Sequence, residues 1–449
     1  MGEKDTSTGH RTGTKTVTKL SLITSRAKRN PKERFISLMH LLNEDFLEEC
    51  FYCLKRNKAV GVDGVKVEEY GANLRENIED LVKRMRSWSY RPKPVRRVYI
   101  PKGKGKMRPL GIVSVEDKVV EMALKRILEA IYEVDFLPVS YGFRPSRNCH
   151  QAVDTVYKAV MVRPTNHIAD VDIERFFDTV DHKKLKALLE KRIGDPNIVR
   201  LISRFLKAGY LEEGKYYRVD EGTAQGSSLS PLLANVYLHY ALDLWFEKCF
   251  KKEAIAYCQL VRYADDVVAA FQKKADATRF GKEVKERLAE FGLKISEEKS
   301  RIIPFGRYSS ASAEREGKKS NTFDFLGFTF YCTKSRKGNF LLGRRTAKKK
   351  YRQKIKELKY WLKATRNLVK LEEWWKILAR KLEGHYRYYG ISGNMREMQS
   401  YHRQVMSMTF KWVNRRSQRK SYNWCQFCRY LQYNPLPKPK IYHAYPVLW

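Results

Sequence analysis

Two adjacent carboxylates between short runs of strand-forming residues constrain this chain more than any other feature. Asp265 and Asp266 lie within residues 261–271, where β-branched, aromatic and small apolar residues flank them on both sides. This pattern predicts a hairpin with the acids at its turn. Because aspartate is common in turns, where its side chain caps backbone N–H groups, the hairpin alone does not indicate chemistry.

A second strand-like stretch, residues 167–172, also ends in acids, Asp170 and Asp172, and then passes into a helix-like segment. Two strands that place carboxylates at one end of a sheet bring three or more of them together. Such groups repel and raise one another's pKa unless cations bind. Oxygen ligands suit Mg²⁺, and two such ions can clamp the attacking and leaving oxygens of a phosphoryl displacement. The pair of strands therefore predicts phosphoryl chemistry, with a phosphatase or nuclease as one alternative.

The charge balance indicates the class of partner. Lys and Arg number 89 against 50 Asp and Glu, a net charge of +39 over 449 residues, which predicts a polyanionic partner and two or three domains. The basic residues are spread along the chain, and no apolar run approaches the length of a transmembrane helix. Nucleic acid is thus favoured over a membrane.

The eight cysteines and the composition of the N-terminus indicate the cellular compartment of the protein. Two Cys-x-x-Cys pairs, Cys50/Cys53 and Cys425/Cys428, would form a zinc site only if they met in space. Each pair falls on a helix-like pattern, so reduced thiols are favoured. Since the N-terminus has no apolar core typical of a secretory signal, we expect a cytoplasmic protein.

Residues 96–112 predict a basic hairpin with a Gly/Lys tip. Its cations are Arg96, Arg97, Lys102, Lys104, Lys106 and Arg108. Such a finger can close over a triphosphate, which arginine holds through two hydrogen bonds. The alternative is a solvated loop.

Two further loops contain candidate binding residues. Residues 140–145, SYGFRP, include Tyr141 and Arg144 and are typical of a loop along a nucleic-acid backbone, although packing of the aromatics into a core is nearly as well supported. Residues 222–231 form a small-residue loop before an apolar helix. Its glycines permit close backbone approach, and Gln225 is the polar group at its edge.

From Gly343 onward, apolar residues recur at spacings of three and four and predict a three-helix bundle. The aromatics of these stripes are expected in the bundle core. The basic leading edge suits a phosphate track and comprises Arg344, Arg345, Lys348, Lys349 and Lys350.

Several motifs, in the order in which they occur along the chain, resemble those of a reverse transcriptase. They are Asp172 followed by Phe177, QG at 225–226 with SPLLAN at 230–235, YADD at 263–266, Lys299, and LGF at 326–328. The loop YGFRP at 141–145 and the turn GVDG at 61–64 resemble the bacterial group II intron branch, in which a maturase thumb follows the polymerase core. The resemblance runs from about residue 35 to residue 441. Ala224 stands where the family usually has proline.

The resemblance implies a set of roles at the catalytic centre. Asp172, Asp265 and Asp266 would bind two Mg²⁺, with the main-chain carbonyl of Ile173 as a further ligand. Phe177 would be the steric gate whose ring collides with a ribonucleotide 2′-OH.

Other roles implied by the resemblance concern the substrates. Lys102 and Arg108, together with Arg96, would hold the triphosphate of a dNTP. Gln225 would line the dNTP or template pocket, and Lys299 would act near the leaving pyrophosphate as a general acid. Leu326 and Gly327 would belong to the primer grip.

The fold class implied is α+β, a right-hand polymerase with an antiparallel palm sheet and an α-helical thumb. We expect a disordered basic arm over 1–33, N-terminal extension helices over 34–91, fingers and palm over 92–335, a three-helix thumb or maturase segment over 336–415, and a short basic DNA-binding-like tail over 416–449.

The expected partners are group II intron RNA, target DNA and primer, and dNTPs, while the oligomeric state is left open. The tail has too few Cys and His ligands for the DNA endonuclease found in many relatives, so mobility would use an existing primer. Two alternatives remain: a reverse transcriptase domesticated for phage defence or spacer acquisition in a CRISPR system, and a splicing-only maturase. Against the latter, all three aspartates are present.

Overall fold

The computed structural model describes residues 8–103, 106–417 and 421–445, with side chains described for 18–101, 107–417 and 421–445. The strands are β1 (Val95–Gly103), β2 (Lys106–Ile112), β3 (His167–Asp172), β4 (Tyr210–Glu212), β5 (Lys215–Tyr217), β6 (Cys258–Tyr263), β7 (Asp266–Phe271), β8 (Arg301–Pro304), β9 (Thr322–Phe325), β10 (Phe328–Lys334) and β11 (Phe340–Thr346). They form three sheets.

Helices account for most of the remaining described chain. They are α1 (Thr8–Arg29), α2 (Glu44–Tyr52), α3 (Val67–Ala72), α4 (Leu74–Arg86), α5 (Val115–Asp135), α6 (Cys149–Met161), α7 (Phe176–Thr179), α8 (His182–Glu190), α9 (Pro196–Leu206), α10 (Ser230–Leu238), α11 (Lys251–Glu253), α12 (Lys274–Glu290), α13 (Arg307–Arg315), α14 (Lys348–Thr365), α15 (Leu371–Tyr389), α16 (Met395–Val413) and α17 (Trp424–Tyr433). A 3-10 turn lies at Met39–Leu41, and π-helical turns at His239–Asp243 and Phe246–Phe250 connect α10 to α11. Within the described residues, no helix combines the length and the apolar character needed to cross a lipid bilayer.

The central sheet has the strand order β6-β7-β3-β8, and every neighbouring pair is antiparallel. Its strand β7 is apolar after Asp266, and residues 267–271 are all buried. Helices pack on one face, and α6 with the third sheet packs on the other. This arrangement confirms the predicted α+β class with an antiparallel palm sheet.

The basic hairpin forms as predicted, with β1 and β2 antiparallel. β1 also pairs in parallel with β4, and β5 completes this second sheet in the order β2-β1-β4-β5. The hairpin is therefore the edge of this small second sheet, and its base is held by the segment that follows α9.

The N-terminal arm differs from its prediction. Helix α1 covers residues 8–29 and lies against α5, where Thr24 Oγ1 donates to the Ala130 carbonyl at 2.9 Å and Ala27 is fully buried. The prediction of a disordered arm is therefore wrong for residues 8–29. Apolar residues spaced along the helix, such as Leu20 and Ile23, pack on the core and stabilise it.

The C-terminal region contains the predicted bundle of α14, α15 and α16, but its boundary moves. β11 pairs with β10 in the third sheet, order β11-β10-β9, so the helices begin at Lys348 and not near 336. Helix α17 packs on the bundle through the edge-to-face rings of Trp375 and Phe427. The described part of the tail is thus a fourth helix against the bundle.

Candidate active site

Strand pairing brings the predicted carboxylates to one end of the central sheet. Asp172, the last residue of β3, lies opposite Asp266, the first residue of β7. Asp265 lies in the tight β6–β7 turn, where Ala264 has a left-handed φ of 56°. The predicted hairpin is confirmed, and the register places all three aspartates at the same end of the sheet.

Lys299 and the closely spaced aspartates determine the electrostatics at this end of the sheet. Lys299 Nζ lies 2.8 Å from Asp172 Oδ1. Water reaches Asp266, but surrounding protein atoms desolvate its carboxyl; this effect, with the charges of Asp265, Asp172 and Asp170, raises its pKa to about 6. The pKa of Asp170 is also raised to about 6, mainly by burial, while Arg301 lowers it. The site therefore holds more negative charge than its cations offset.

The donor set fits a divalent cation that is completed by substrate. In the described part of the chain, no three Asp, Glu, His or Cys side chains are close enough to form a closed metal cage. Mg²⁺ usually takes only one or two carboxylates and fills its shell with water and substrate phosphates. Clustered carboxylates such as Asp266 and Asp170, whose pKa values are raised, are therefore suited to an open cation site.

A buried ion pair holds the β6–β7 turn in place. Arg262 and Asp243 are fully buried, with Nη2–Oδ2 at 2.6 Å and Nε–Oδ1 at 2.7 Å. The other guanidinium N–H groups donate to Asn235 Oδ1, the Ala264 carbonyl and Ser140 Oγ. All five donors are satisfied, so the arginine rigidly connects the β6–β7 turn to α10 and to the π-helical turn that follows it. Sequence reasoning missed this role, although Arg262 directly precedes the YADD motif.

The loop at residues 140–145 supports the same turn, which corrects its predicted role. Tyr141 is buried and its hydroxyl bonds Thr155, while Arg144 is buried and pairs with Glu133 at 3.0 Å. Neither side chain is available to nucleic acid. A Cβ added to Gly142 would lie 2.3 Å from the Ala264 nitrogen, so only glycine permits this close approach.

A cavity of about 430 Å³ lies between the β1–β2 hairpin and the segment that follows Asp172, and its volume is within the usual range for small-ligand sites. Phe177 and Gln225 both line it, as their predicted roles require. Three cations line it as well: Arg97, Arg175 and Arg218. Sequence reasoning did not select them, although Arg175 lies between Asp172 and Phe177 in the chain.

The glycine loop closes one wall of this cavity by tight backbone contacts. A Cβ on Gly226 (φ 122°) would lie 2.3 Å from the Gly111 carbonyl oxygen, and one on Gly222 (φ 86°) would lie 2.8 Å from that of Asp178. The Gly111 N–H donates to the Gln225 carbonyl at 2.6 Å. The loop therefore connects β2 to the Phe177 segment, which confirms the close approach predicted from its glycines.

A buried carboxyl anchors the far end of this loop. Glu121 on α5 is 3% exposed, and its Oε2 accepts from the backbone N–H and hydroxyl of Ser228 at 2.9 and 3.1 Å. Burial raises the pKa of Glu121 to about 7, although the serine hydrogen bonds lower it.

Glu121 should make stability fall with rising pH. Because its folded pKa exceeds the ordinary value of 4.5, the folded protein holds this proton more tightly than the unfolded chain, and stability is lost between pH 4.5 and about 7. We expect Glu121→Gln to remove up to about 3 kcal/mol of this loss, since one pKa unit corresponds to about 1.4 kcal/mol. Urea unfolding at pH 5 and pH 8 checks this, with exposed Glu286→Gln as control. Equal pH dependence in both variants would contradict it.

The cations predicted to hold a triphosphate have different outcomes. The Arg96 guanidinium donates twice to the Val60 carbonyl, at 3.0 and 2.7 Å, and so corrects its predicted role. Arg108 is exposed on β2 and does not line the cavity, so its role stays a prediction. The Lys102 side chain lies outside the described residues.

The basic edge of the bundle divides into buried and exposed members. Arg344 is 3% exposed between the rings of Tyr157 and Tyr445, each 4.2 Å from its guanidinium carbon, so it cannot belong to a phosphate track. Arg345, Lys348, Lys349 and Lys350 are exposed. The positive charge of Lys350 acts on Asp266 and lowers its pKa, which places the start of α14 near the carboxylates.

The predicted primer grip is a turn held by the bundle. Leu326 and Gly327 have left-handed φ values of 49° and 79° between β9 and β10. The Tyr388 hydroxyl donates to the Leu326 carbonyl at 2.9 Å, and the Ala347 N–H donates to the Gly327 carbonyl at 2.9 Å. This turn therefore connects the third sheet to α14 and α15.

Comparison with known proteins agrees with this geometry. The reverse transcriptase (RNA-dependent DNA polymerase) family matches residues 100–330, about half of the chain. The group II intron-encoded protein LtrA of Lactococcus lactis subsp. cremoris is 39% identical over 226 residues, which cover 50% of this chain and 37% of that protein. The match thus spans little more than a third of that relative.

Two further relatives match similar lengths. Protein YkfC of Escherichia coli (strain K12) is 34% identical over 277 residues, covering 54% of this chain and 72% of that protein. An uncharacterised 91 kDa protein in the cob intron of Schizosaccharomyces pombe is 36% identical over 244 residues, covering 54% of this chain and 30% of that protein.

Proposed function

Since the chain belongs to the reverse transcriptase family, we propose that it is an RNA-directed DNA polymerase encoded by a group II intron, which also binds the intron RNA as a maturase. One observation carries the polymerase proposal. Asp172 and Asp266 face each other at the end of the central sheet, and Phe177, five residues after Asp172, lines a cavity together with Gln225. The chain therefore connects the paired carboxylates directly to a pocket of nucleotide size.

The proposed chemistry assigns a task to each group. Two Mg²⁺ ions, held by the three aspartates and the Ile173 carbonyl, would supply charge neutralisation at the reacting phosphate. Lys299, 2.8 Å from Asp172, is suited to give a proton to the leaving pyrophosphate. Of the three arginines that line the cavity, Arg97 and Arg175 are suited to bind the triphosphate of a dNTP, while Arg218 pairs with Asp220 at 3.0 Å.

The maturase proposal rests on charge and on the named relatives. The chain carries a net charge of +39, and exposed lysines begin α14 next to the turn at Leu326 and Gly327. The LtrA relative is, by its name, intron-encoded. We propose that the bundle and N-terminal helices hold the intron RNA, while primer and target DNA enter the cleft.

Primer extension on an RNA template with dNTPs and Mg²⁺ tests the polymerase proposal. We expect the wild-type protein to extend a DNA primer to the end of the template. If well-folded protein binds the RNA tightly but adds no nucleotide, the polymerase proposal fails and a splicing-only maturase replaces it. A gene lying within a defence operon, without surrounding intron RNA, would overturn the intron assignment.

The side chain of Phe177 should set sugar selectivity. Its ring lines the cavity, and its carbonyl accepts from the Thr223 N–H at 2.6 Å, so its backbone is fixed. We expect Phe177→Ala to raise ribonucleotide incorporation relative to deoxynucleotide by roughly 10- to 100-fold, the scale on which a pocket distinguishes small groups. Single-nucleotide incorporation with dNTP and rNTP measures the ratio. Phe143→Ala, an exposed phenylalanine outside the cavity, should leave it unchanged.

A further inference from the structure

Helices α8 and α9 face each other across a second groove of about 420 Å³, which shares only Leu206 with the nucleotide cavity. The residues of the groove recur at helical spacing on the facing sides of both helices. They are His182, Lys183, Lys186 and Glu190 from α8, and Pro196, Val199, Arg200, Ser203, Leu206 and Lys207 from α9 and its end. None of them contributes to the proposed catalytic chemistry.

The groove is strongly positive. Lys183, Lys186, Arg200 and Lys207 are exposed along it. Among the described residues that line it, Glu190 alone is acidic, and its carboxylate lies 3.7 Å from Lys186 Nζ. The four cations are therefore offset by one carboxylate, which favours an anionic occupant.

The floor of the groove is polar. His182 is 8% exposed, and its Nε2 lies 2.6 Å from the Gly222 carbonyl, to which it donates. Its buried Nδ1 has no hydrogen-bond partner among the described residues.

Beyond Arg200, the positive surface continues into a cluster of arginines around Trp88. The guanidinium carbons of Arg200 and Arg204 lie 4.8 and 5.2 Å from the Trp88 ring centre. Arg91 and Arg204 both donate to the Trp88 carbonyl, at 2.8 and 3.2 Å. Backbone and ring contacts therefore hold three guanidinium groups close together.

This cluster lacks a counter-charge. No ion pair joins Arg91, Arg200 or Arg204 to a carboxylate in the part of the chain that the structure describes. Desolvation, with the charges of Arg91 and Arg200, lowers the pKa of Arg204. A bound phosphate would relieve this repulsion, and arginine suits phosphate because its planar group donates two parallel hydrogen bonds.

We propose that the α8–α9 groove and the adjoining arginine cluster bind the phosphate backbone of an RNA strand outside the catalytic cleft. The nine and eleven residues of the two helices give a groove about 14–17 Å long, enough for a few consecutive phosphates. The choice of RNA rests on the proposed function; the anionic chemistry of the occupant does not.

The experiment uses the whole protein with a primed template already bound in its catalytic cleft. A DNA primer annealed to a short RNA template is added to saturation without dNTPs, and a fluorescent single-stranded RNA is then titrated in at several salt concentrations. The test variant is Lys183→Gln/Lys186→Gln/Arg200→Gln. The matched control, Lys248→Gln/Lys252→Gln/Lys282→Gln, removes three exposed lysine charges from another surface.

We expect the wild type to bind this second strand and the test variant to bind it at least about 10-fold more weakly. The slope of log K against log salt should fall by about 2, because each lost single-strand phosphate contact contributes about 0.7. The control should change neither value. Equal weakening in both variants, no weakening in the test variant, or tighter binding of DNA than of RNA of the same sequence would overturn the proposal.

Extension of a short primed template separates this proposal from the polymerase proposal. Both variants should extend it at the wild-type rate, since no altered residue lines the nucleotide cavity. The wild-type protein could bind the second strand without extending primers, while the test variant fails to bind that strand. In that case the polymerase proposal fails and the groove proposal stands. Unchanged thermal unfolding of the variants shows that the lost binding is local.

Discussion

Asp265→Ala is expected to reduce RNA-templated primer extension by roughly 1,000-fold or more. Removing a single neutral hydrogen-bond donor that stabilises a transition state costs roughly 10²- to 10³-fold, and this change removes a whole charge from the sheet edge where Asp172 and Asp266 also lie. Single-turnover extension with saturating dNTP measures the chemical step directly.

Two comparisons make this result specific. Asp45→Asn changes an exposed aspartate on α2, and we expect its extension rate to match the wild type. Binding of primed template by Asp265→Ala should stay within a few-fold of wild type, since the turn backbone is held by Arg262. Residual extension above a tenth of the wild-type rate would show that Asp265 is not part of the catalytic cluster.

Asp243→Ala is expected to lower the free energy of unfolding by about 3–5 kcal/mol, the cost of leaving one buried charge without its partner. Asp243 and Arg262 are both fully buried, so water cannot replace the lost carboxylate. Because Arg262 also donates to the Ala264 carbonyl, we expect the β6–β7 turn to loosen and polymerase activity to fall in the folded fraction. Urea unfolding and extension rates per folded molecule measure the two effects.

An exposed pair and a double variant serve as controls. Glu372→Ala removes an 80% exposed carboxylate 2.5 Å from Lys376, and such surface pairs contribute at most about 0.5 kcal/mol. Asp243→Leu combined with Arg262→Met removes both charges and should recover part of the stability that the single change loses. If Asp243→Ala unfolds like the Glu372 variant, the buried pair does not stabilise the turn.

Much of the catalytic centre was predictable, because Asp265 and Asp266 are adjacent in sequence and the strands around the three aspartates have recognisable periodicity. Asp172 and Asp266 end and begin strands, and strands that pair antiparallel bring such ends together. The positions of Phe177 and Gln225 beside one cavity followed from the order of motifs. The three-helix bundle followed from apolar spacing alone, although its first helix begins at Lys348.

The errors share a cause, since charge and aromaticity do not reveal which way a side chain points. Arg144 and Arg344 both lie in basic stretches of the kind that bind phosphate. In the structure, however, Arg144 pairs with Glu133, and Arg344 lies between two tyrosine rings. Helix α1 looked like a solvated arm because its few apolar residues only become stabilising when α5 provides a surface for them.

Most of the helices and strands, the order of the motifs and the family could be read from the amino-acid sequence, because local periodicity and adjacent residues encode them. Three features became visible only in the folded chain: which cations face the nucleotide cavity, how Arg262 and Asp243 hold the catalytic turn, and how α8 and α9 enclose a second positive groove. These depend on contacts between residues far apart in the chain, and the energy of such contacts comes from burial and pairing that no short stretch of sequence contains.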